Sequence, residues 1–267
     1  MTPKPEPRLP RGPGAPPPDL PRMSLLEHLE ELRRRLVWSL GALVAGLAAT
    51  LAFSPEIVRF LAQPIYRVMP PGSKLAFLGV TDPFMLYFKV ALLAGAFLAF
   101  PVILWQVWLF VSPGLYPSER RWAGPFIFCG WFFFVAGGAF AYYVAFPFTV
   151  EFLLDLGKDF QAVITADRYF SFLLTIVLGL GLMFELPILI VLLAAIGLVT
   201  PRFLLRHFRW AVLIIFVVSA VITPTADIVN LCLFAIPTVG LYLLGIAGAA
   251  LVSRSKRRRA AAAEGQP

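Results

Sequence analysis

The sequence predicts an all-α integral membrane protein of six transmembrane helices, with both termini cytoplasmic and with short fifth and sixth spans. Three observations carry that prediction. Hydrophobic residues make up 59% and charged residues only 14% of the 267, with a mean hydropathy of +0.81, whereas soluble domains carry about 25% charged residues. The apolar residues gather in six runs, 36–53, 84–110, 125–148, 169–199, 210–222 and 228–252. Finally, seventeen Lys and Arg fall before the first run, in the alternate connections that share its side and in the tail, against five in the other loops. That excess places both ends in the cytoplasm.

Residues 1–23 are dense in proline with scattered basic residues, and such a segment neither builds a helix nor buries a core. They read as a disordered leader, without the early apolar core of a secretory signal. The membrane domain is expected over 24–252, and a basic cytoplasmic tail over 253–267.

The grammar changes at Ser24. Ser24 with Glu27 three residues on is a capping box, so a helix should begin here. Leu25, Leu29, Leu32 and Leu36 recur at helical spacing and give it one apolar stripe. This amphipathic helix should lie at the membrane surface and run into the first span, whose 18 uncharged residues approach the roughly 20 needed to cross. The fifth run, 210–222, is only about 13 residues; with both ends on one side the number of spans is even, so it is expected to be a span, shortened or tilted in thinned lipid. The loops 54–83 and 149–168 carry enough apolar residues to fold back as short helices. Pro101, Pro147, Pro187 and Pro237 should kink or end the spans they occupy. Lys89, just inside a membrane end, is placed to snorkel.

Enzyme chemistry finds no footing. The sequence has no HExxH, GxSxG, Walker loop or strand-borne GxGxxG. Cys129 and Cys232 stand alone in apolar runs, and His28 and His207 are far apart, so neither a catalytic residue nor a metal site is assigned. Membrane orientation, not nucleic acid, accounts for the net charge of +8.

Three places could carry function. In the opening helix, Glu30–Arg34 and Glu31–Arg35 are i,i+4 pairs worth a few tenths of a kcal/mol each. From pattern alone the segment reads first as a solvated, salt-bridged anchor, with a docking surface as the alternative. Glu119 follows a Pro-Ser pair on the same side, where it complements a helix dipole or serves as a second acceptor. Two carboxylates at a membrane surface suit a ligand with paired guanidiniums, since each can accept a bidentate fork. Glu185 is the only acid deep in an apolar run, and a charge there costs at least about 2.5–3.5 kcal/mol on insertion scales. It must be protonated, hydrated or paired with a polar group on a neighbour, which favours a functional role over a purely structural one. Asp227, after Thr223-Pro224-Thr225, stands open between a turn-forming and a functional reading.

Several stretches, in order along the chain, resemble the TatC family: His28-Leu29-Glu30-Glu31-Leu32-Arg33-Arg34-Arg35, Ala62-Gln63-Pro64, Pro101-Val102-Ile103-Leu104-Trp105-Gln106-Val107-Trp108, Pro113 to Arg121, Phe184-Glu185-Leu186-Pro187, Thr223-Pro224 with Asp227, and Ala235-Ile236-Pro237. The resemblance implies a concave six-span bundle, the receptor core of the twin-arginine translocase, which exports folded proteins across the cytoplasmic membrane. It implies that Glu31 and Glu119 contact the twin arginines of a signal peptide, with His28, Leu32, Arg33 and Phe110 around them. It assigns Glu185, Asp227 and Pro64 to translocation and to partner binding, the partners being the single-span TatA and TatB subunits. It further implies self-association, contact with membrane lipids and use of the proton-motive force without a cofactor. The turn after Asp227 departs from the family, reading Ile228-Val229-Asn230-Leu231 without the Gln often found there. A proton-coupled solute transporter using Glu185 is the runner-up, followed by a membrane scaffold. The informative acids sit at the cytoplasmic rim, which favours docking.

Overall fold

The computed structural model describes residues 25–69, 74–114, 123–160, 163–223, 225 and 227–264, with the side chains of 25, 68, 114 and 255–264 left aside. Eleven α-helices occur among the described residues: α1 Leu25–Leu51, α2 Ser54–Leu61, α3 Gln63–Val68, α4 Asp82–Val111, α5 Ala123–Phe140, α6 Phe146–Leu156, α7 Ala166–Phe184, α8 Leu186–Ala195, α9 Pro201–Arg206, α10 Phe208–Ile222 and α11 Ile228–Glu264. The all-α expectation holds. The described residues contain no strand beyond a single parallel bridge, Ala76 to Thr165, that ties two loops together.

Five stretches are long and apolar enough to cross a membrane: Leu26–Leu51, Asp82–Val111, Ala123–Leu156, Ala166–Ala195 and Ile228–Arg254. The fifth run is the short α10, 15 residues, about 22 Å at 1.5 Å per residue against a hydrocarbon thickness of about 30 Å. The sixth run is not short, contrary to expectation. The α11 helix extends unbroken over 37 residues, because the basic and Ala residues that follow the apolar part are good helix formers.

The prolines act in two ways. Pro101 and Pro237 lie inside continuous helices. Pro147 and Pro187 instead begin new segments. Proline cannot donate to the carbonyl four residues back. Before Pro147 the backbone widens into a π-helical turn, Ala141–Ala145, a local way of absorbing that lost bond. Before Pro187, α7 stops at Glu185, whose N–H falls back to the Leu182 carbonyl at 3.1 Å.

Helices α1 and α4 run antiparallel and meet backbone to backbone. A Cβ on Gly46 would lie 2.4 Å from the Gly95 carbonyl oxygen, so only glycine permits this crossing, as expected where lipid gives no hydrophobic drive between helices. Thr50 adds an interhelical bond, Oγ1 donating to the Ala91 carbonyl at 2.7 Å. The side of α1 turned away from α4 is open, with Trp38, Leu40 and Val44 exposed as a lipid-facing side requires.

The core lies among α4, α6, α7 and α11, where Phe146, Phe170, Leu173, Ile176 and Phe234 are fully buried. At the end of the bundle away from the start of α1, α2 and α3 fold over it as short helices. Tyr hydroxyls pin them: Tyr142 donates to the Phe60 carbonyl at 2.6 Å and Tyr169 to the Leu61 carbonyl at 3.1 Å. These are carbonyls at the C-terminus of α2, which lack intrahelical donors. Nearby, Lys89 of α4 donates to Asp167 Oδ1 at 2.6 Å and to Ser171 Oγ at 3.0 Å on α7. The snorkelling expected of Lys89 is replaced by this pair.

Candidate functional site

The rim where α1 begins is built from two antiparallel helix ends. The helix is present from Leu25, and the Ser24 cap expected for it lies outside the described residues. The antiparallel register brings the first turns of α1 beside the last turns of α4. His28 stacks on Phe110, ring centroids 4.5 Å apart and planes 29° from parallel. Two turns on, Arg35 Nη1 donates to Gln106 Oε1 at 3.4 Å.

Glu31 sits between these contacts, one turn from each along α1. It is 8% exposed, whereas Glu27, Glu30, Arg33 and Arg34 around it are exposed. Arg35 Nη2 donates to Glu31 Oε1 at 3.1 Å, and Arg34 Nη2 lies 3.9 Å from the same oxygen. The i,i+4 pairing of Glu31 with Arg35 is therefore present, but Arg34 turns to Glu31 at i,i+3 rather than to Glu30. Glu31 Oε2 is buried with no hydrogen-bond partner. One oxygen of this carboxylate is thus already engaged from within the chain, and the other is not. An open groove beside α1, about 480 Å³, is lined by Glu27, Glu30, Glu31, Arg33 and Trp38 among others.

Of the remaining residues expected at this rim, Leu32 is exposed on α1, and Glu119 lies outside the described residues. The structure thus gathers His28, Glu31 and Phe110 and leaves Leu32 and Arg33 facing outward. It also adds Gln106, buried on α4 at 9% exposure. A lone amide near the end of an otherwise apolar run is the signal that could have singled it out.

Glu185 lies in the break between α7 and α8 and is partly buried. Its Oε1 is buried without a partner. Its Oε2 lies against α5, 3.3 Å from where a Cβ on Gly130 would stand. The missing side chain at Gly130 is what makes room for the carboxylate.

Pro64 and Asp227 are at the opposite end of the bundle from Glu31. Pro64 opens α3. Asp227 caps α11, its Oδ1 accepting the Asn230 N–H at 2.7 Å and its Oδ2 the Asn230 side-chain amide at 2.8 Å. Asn230 Oδ1 accepts from Thr149 Oγ1 of α6 at 2.7 Å, and both Asn230 and Thr149 are fully buried. Burial pushes the Asp227 carboxyl up, but the hydrogen bonds from Asn230 outweigh it and hold the group below its ordinary range. Asp227 is thus a helix cap within a polar network, whatever further role it has. No group of three or more metal-ligating side chains occurs among the described residues.

Comparison with known proteins follows the same outline. A family model described as Sec-independent protein translocase protein (TatC) matches residues 27–237. The chain is 44% identical over 248 residues to the Sec-independent protein translocase protein TatC of Koribacter versatilis, covering 91% of this chain and 92% of that one. It is 40% identical over 230 residues to the protein of the same name from Helicobacter pylori strain J99, covering 86% and 90%. A crystal structure described as the twin arginine translocase receptor TatC superposes with a TM-score of 0.74 at 34% identity, covering 85% of this chain and all 100% of the other.

Proposed function

Because the chain belongs to the TatC family of Sec-independent protein translocase proteins, we propose that it binds twin-arginine signal peptides and passes their folded cargo across the cytoplasmic membrane. It is a multi-pass membrane protein, a receptor component of a translocase and not an enzyme. In this reading the polypeptide spans six times, with α10 as the short fifth crossing, and both termini face the cytoplasm. The excess of Lys and Arg on that side supports the orientation.

One observation carries the receptor reading: Glu31, buried at the rim, keeps one carboxylate oxygen without a partner. An unpaired acceptor inside a protein is costly, and a ligand N–H relieves it. Glu119 supplies the second acceptor, and His28, Leu32, Arg33 and Phe110 frame the peptide. The stacked His28–Phe110 pair offers a flat apolar wall beside the carboxylate. Glu185, Pro64 and Asp227 serve translocation and contact with the TatA and TatB subunits, with further copies of the chain and lipid completing the complex. The proton-motive force drives transport, in keeping with a sequence that has no nucleotide-binding loop.

The test is export of a folded reporter carrying an Arg-Arg signal, in cells whose own receptor is deleted and replaced by this chain together with its single-span partners. Export that is lost when the signal reads Lys-Lys is expected. A chain that reaches the membrane intact yet supports no export would overturn the reading.

A further inference from the structure

The two oxygens of Glu31 have different fates. Oε1 is held by Arg35 at 3.1 Å with Arg34 close by, while Oε2 is buried and unpartnered. Arg35 is itself braced from the other helix by Gln106 at 3.4 Å, and its Nε is buried without a partner. It is half-buried rather than free in solvent. A carboxylate selects a guanidinium over an ammonium mainly by offering both oxygens to the planar fork. With Oε1 already drawn to Arg35, Oε2 is the oxygen that Glu31 offers unengaged.

Resting on the reading that this rim receives an Arg-Arg peptide, we propose that Arg35, braced by Gln106, is a specificity-determining residue. It fills one oxygen of Glu31 and leaves the other as a single acceptor. Glu31 then reads a positive donor of either kind, since a single oxygen is satisfied by a Lys ammonium as well as by an Arg N–H. Discrimination between Arg and Lys falls on other groups of the site. The built-in guanidinium also keeps the buried carboxylate charge-compensated before the peptide arrives, which an isolated buried acid would not be.

The experiment measures binding of fluorescent synthetic signal peptides to the full chain in lipid nanodiscs, with Arg-Arg, Lys-Lys or Gln-Gln at the pair. Glu31→Gln is expected to weaken the Arg-Arg and Lys-Lys peptides by the same factor. Arg35→Gln frees Oε1, so the preference for Arg-Arg over Lys-Lys rises several-fold, and that rise disappears in the double variant with Glu31→Gln. Arg35→Lys keeps the charge but cannot span Glu31 and Gln106 together. It should raise the preference less, and it carries the test if Arg35→Gln does not assemble. An unchanged preference in the assembled Arg35 variants overturns the proposal, as does a Glu31→Gln loss confined to the Arg-Arg peptide. Equal binding of the Gln-Gln and Arg-Arg peptides to the unaltered chain would instead overturn the receptor reading on which the proposal rests.

Discussion

Asn230 donates twice to Asp227, from its backbone N–H at 2.7 Å and from its side-chain amide at 2.8 Å. Because an ionised carboxylate only accepts, this fixes which end of the Asn230 amide is which. The carbonyl end is left pointing to Thr149, which donates to it at 2.7 Å. The start of α11 is in this way latched to α6 through three polar side chains.

The latch makes stability depend on pH. The folded Asp227 carboxyl titrates below its unfolded value, which is about 3.9 for an ordinary Asp. Its contribution is therefore fully present above about pH 4 and is lost as pH falls through the lower folded value. Melting of the detergent-solubilised protein should drop on acidification toward pH 3. Asp227→Asn, which keeps a capping side chain, should show a shallower drop. Identical pH profiles would remove Asp227 from the account.

Thr149 tests the same network from the other side. Thr149→Val keeps the shape but orphans Asn230 Oδ1 in a fully buried position, at a cost of about 1–3 kcal/mol. Thr149→Ser should restore most of it. Thermal unfolding of the three proteins separates a lost hydrogen bond from lost volume.

Much of this architecture could be read from residue order. Apolar run lengths located the long apolar helices and the short α10. The position of Glu185 deep in an apolar run marks it from the sequence alone. What could not be read were the pairings between distant segments. Gln106 and Arg35 are 71 residues apart and Thr149 and Asn230 are 81 apart, and nothing in local periodicity links them. Lys89 looked like a snorkelling residue because its partner Asp167 belongs to another helix. The preference of Arg34 for Glu31 over Glu30 follows from burial of Glu31 against α4, which helix spacing alone does not contain.

The crossing of α1 and α4 gives a sharp packing prediction. Gly46→Ala and Gly95→Ala each place a methyl into opposing backbone, 2.4 Å and 2.5 Å from the nearest atom. Backbone cannot swing aside like a side chain, so each should destabilise by about 1–3 kcal/mol. Gly41→Ala on the same helix meets nothing within 4 Å and is the control. Detergent melting temperatures check the contrast, and the Gly46 and Gly95 variants should also lose signal-peptide crosslinking at the Glu31 rim, because they spread the two helices that form it.

Glu185 presents the choice between a hydrogen bond and a charge. It sits in the gap that Pro187 opens between α7 and α8, against the bare Cα of Gly130, with Oε1 buried and unpartnered. A polar atom held there without a partner is retained at a cost, which argues for a ligand or a moving segment that completes it. If the completing interaction is a hydrogen bond from a polar residue on a single-span partner, Glu185→Gln keeps an acceptor of the same size and should retain most export. Glu185→Leu removes the acceptor and should abolish partner crosslinking and export, although it relieves the buried polar atom and leaves the protein no less stable. That combination, lower activity with equal or higher melting temperature, is what separates a functional polar group from a structural one. Equal export by the Leu and Gln variants would mean that α5 and α8 need only the volume at this position and that the carboxylate meets no partner.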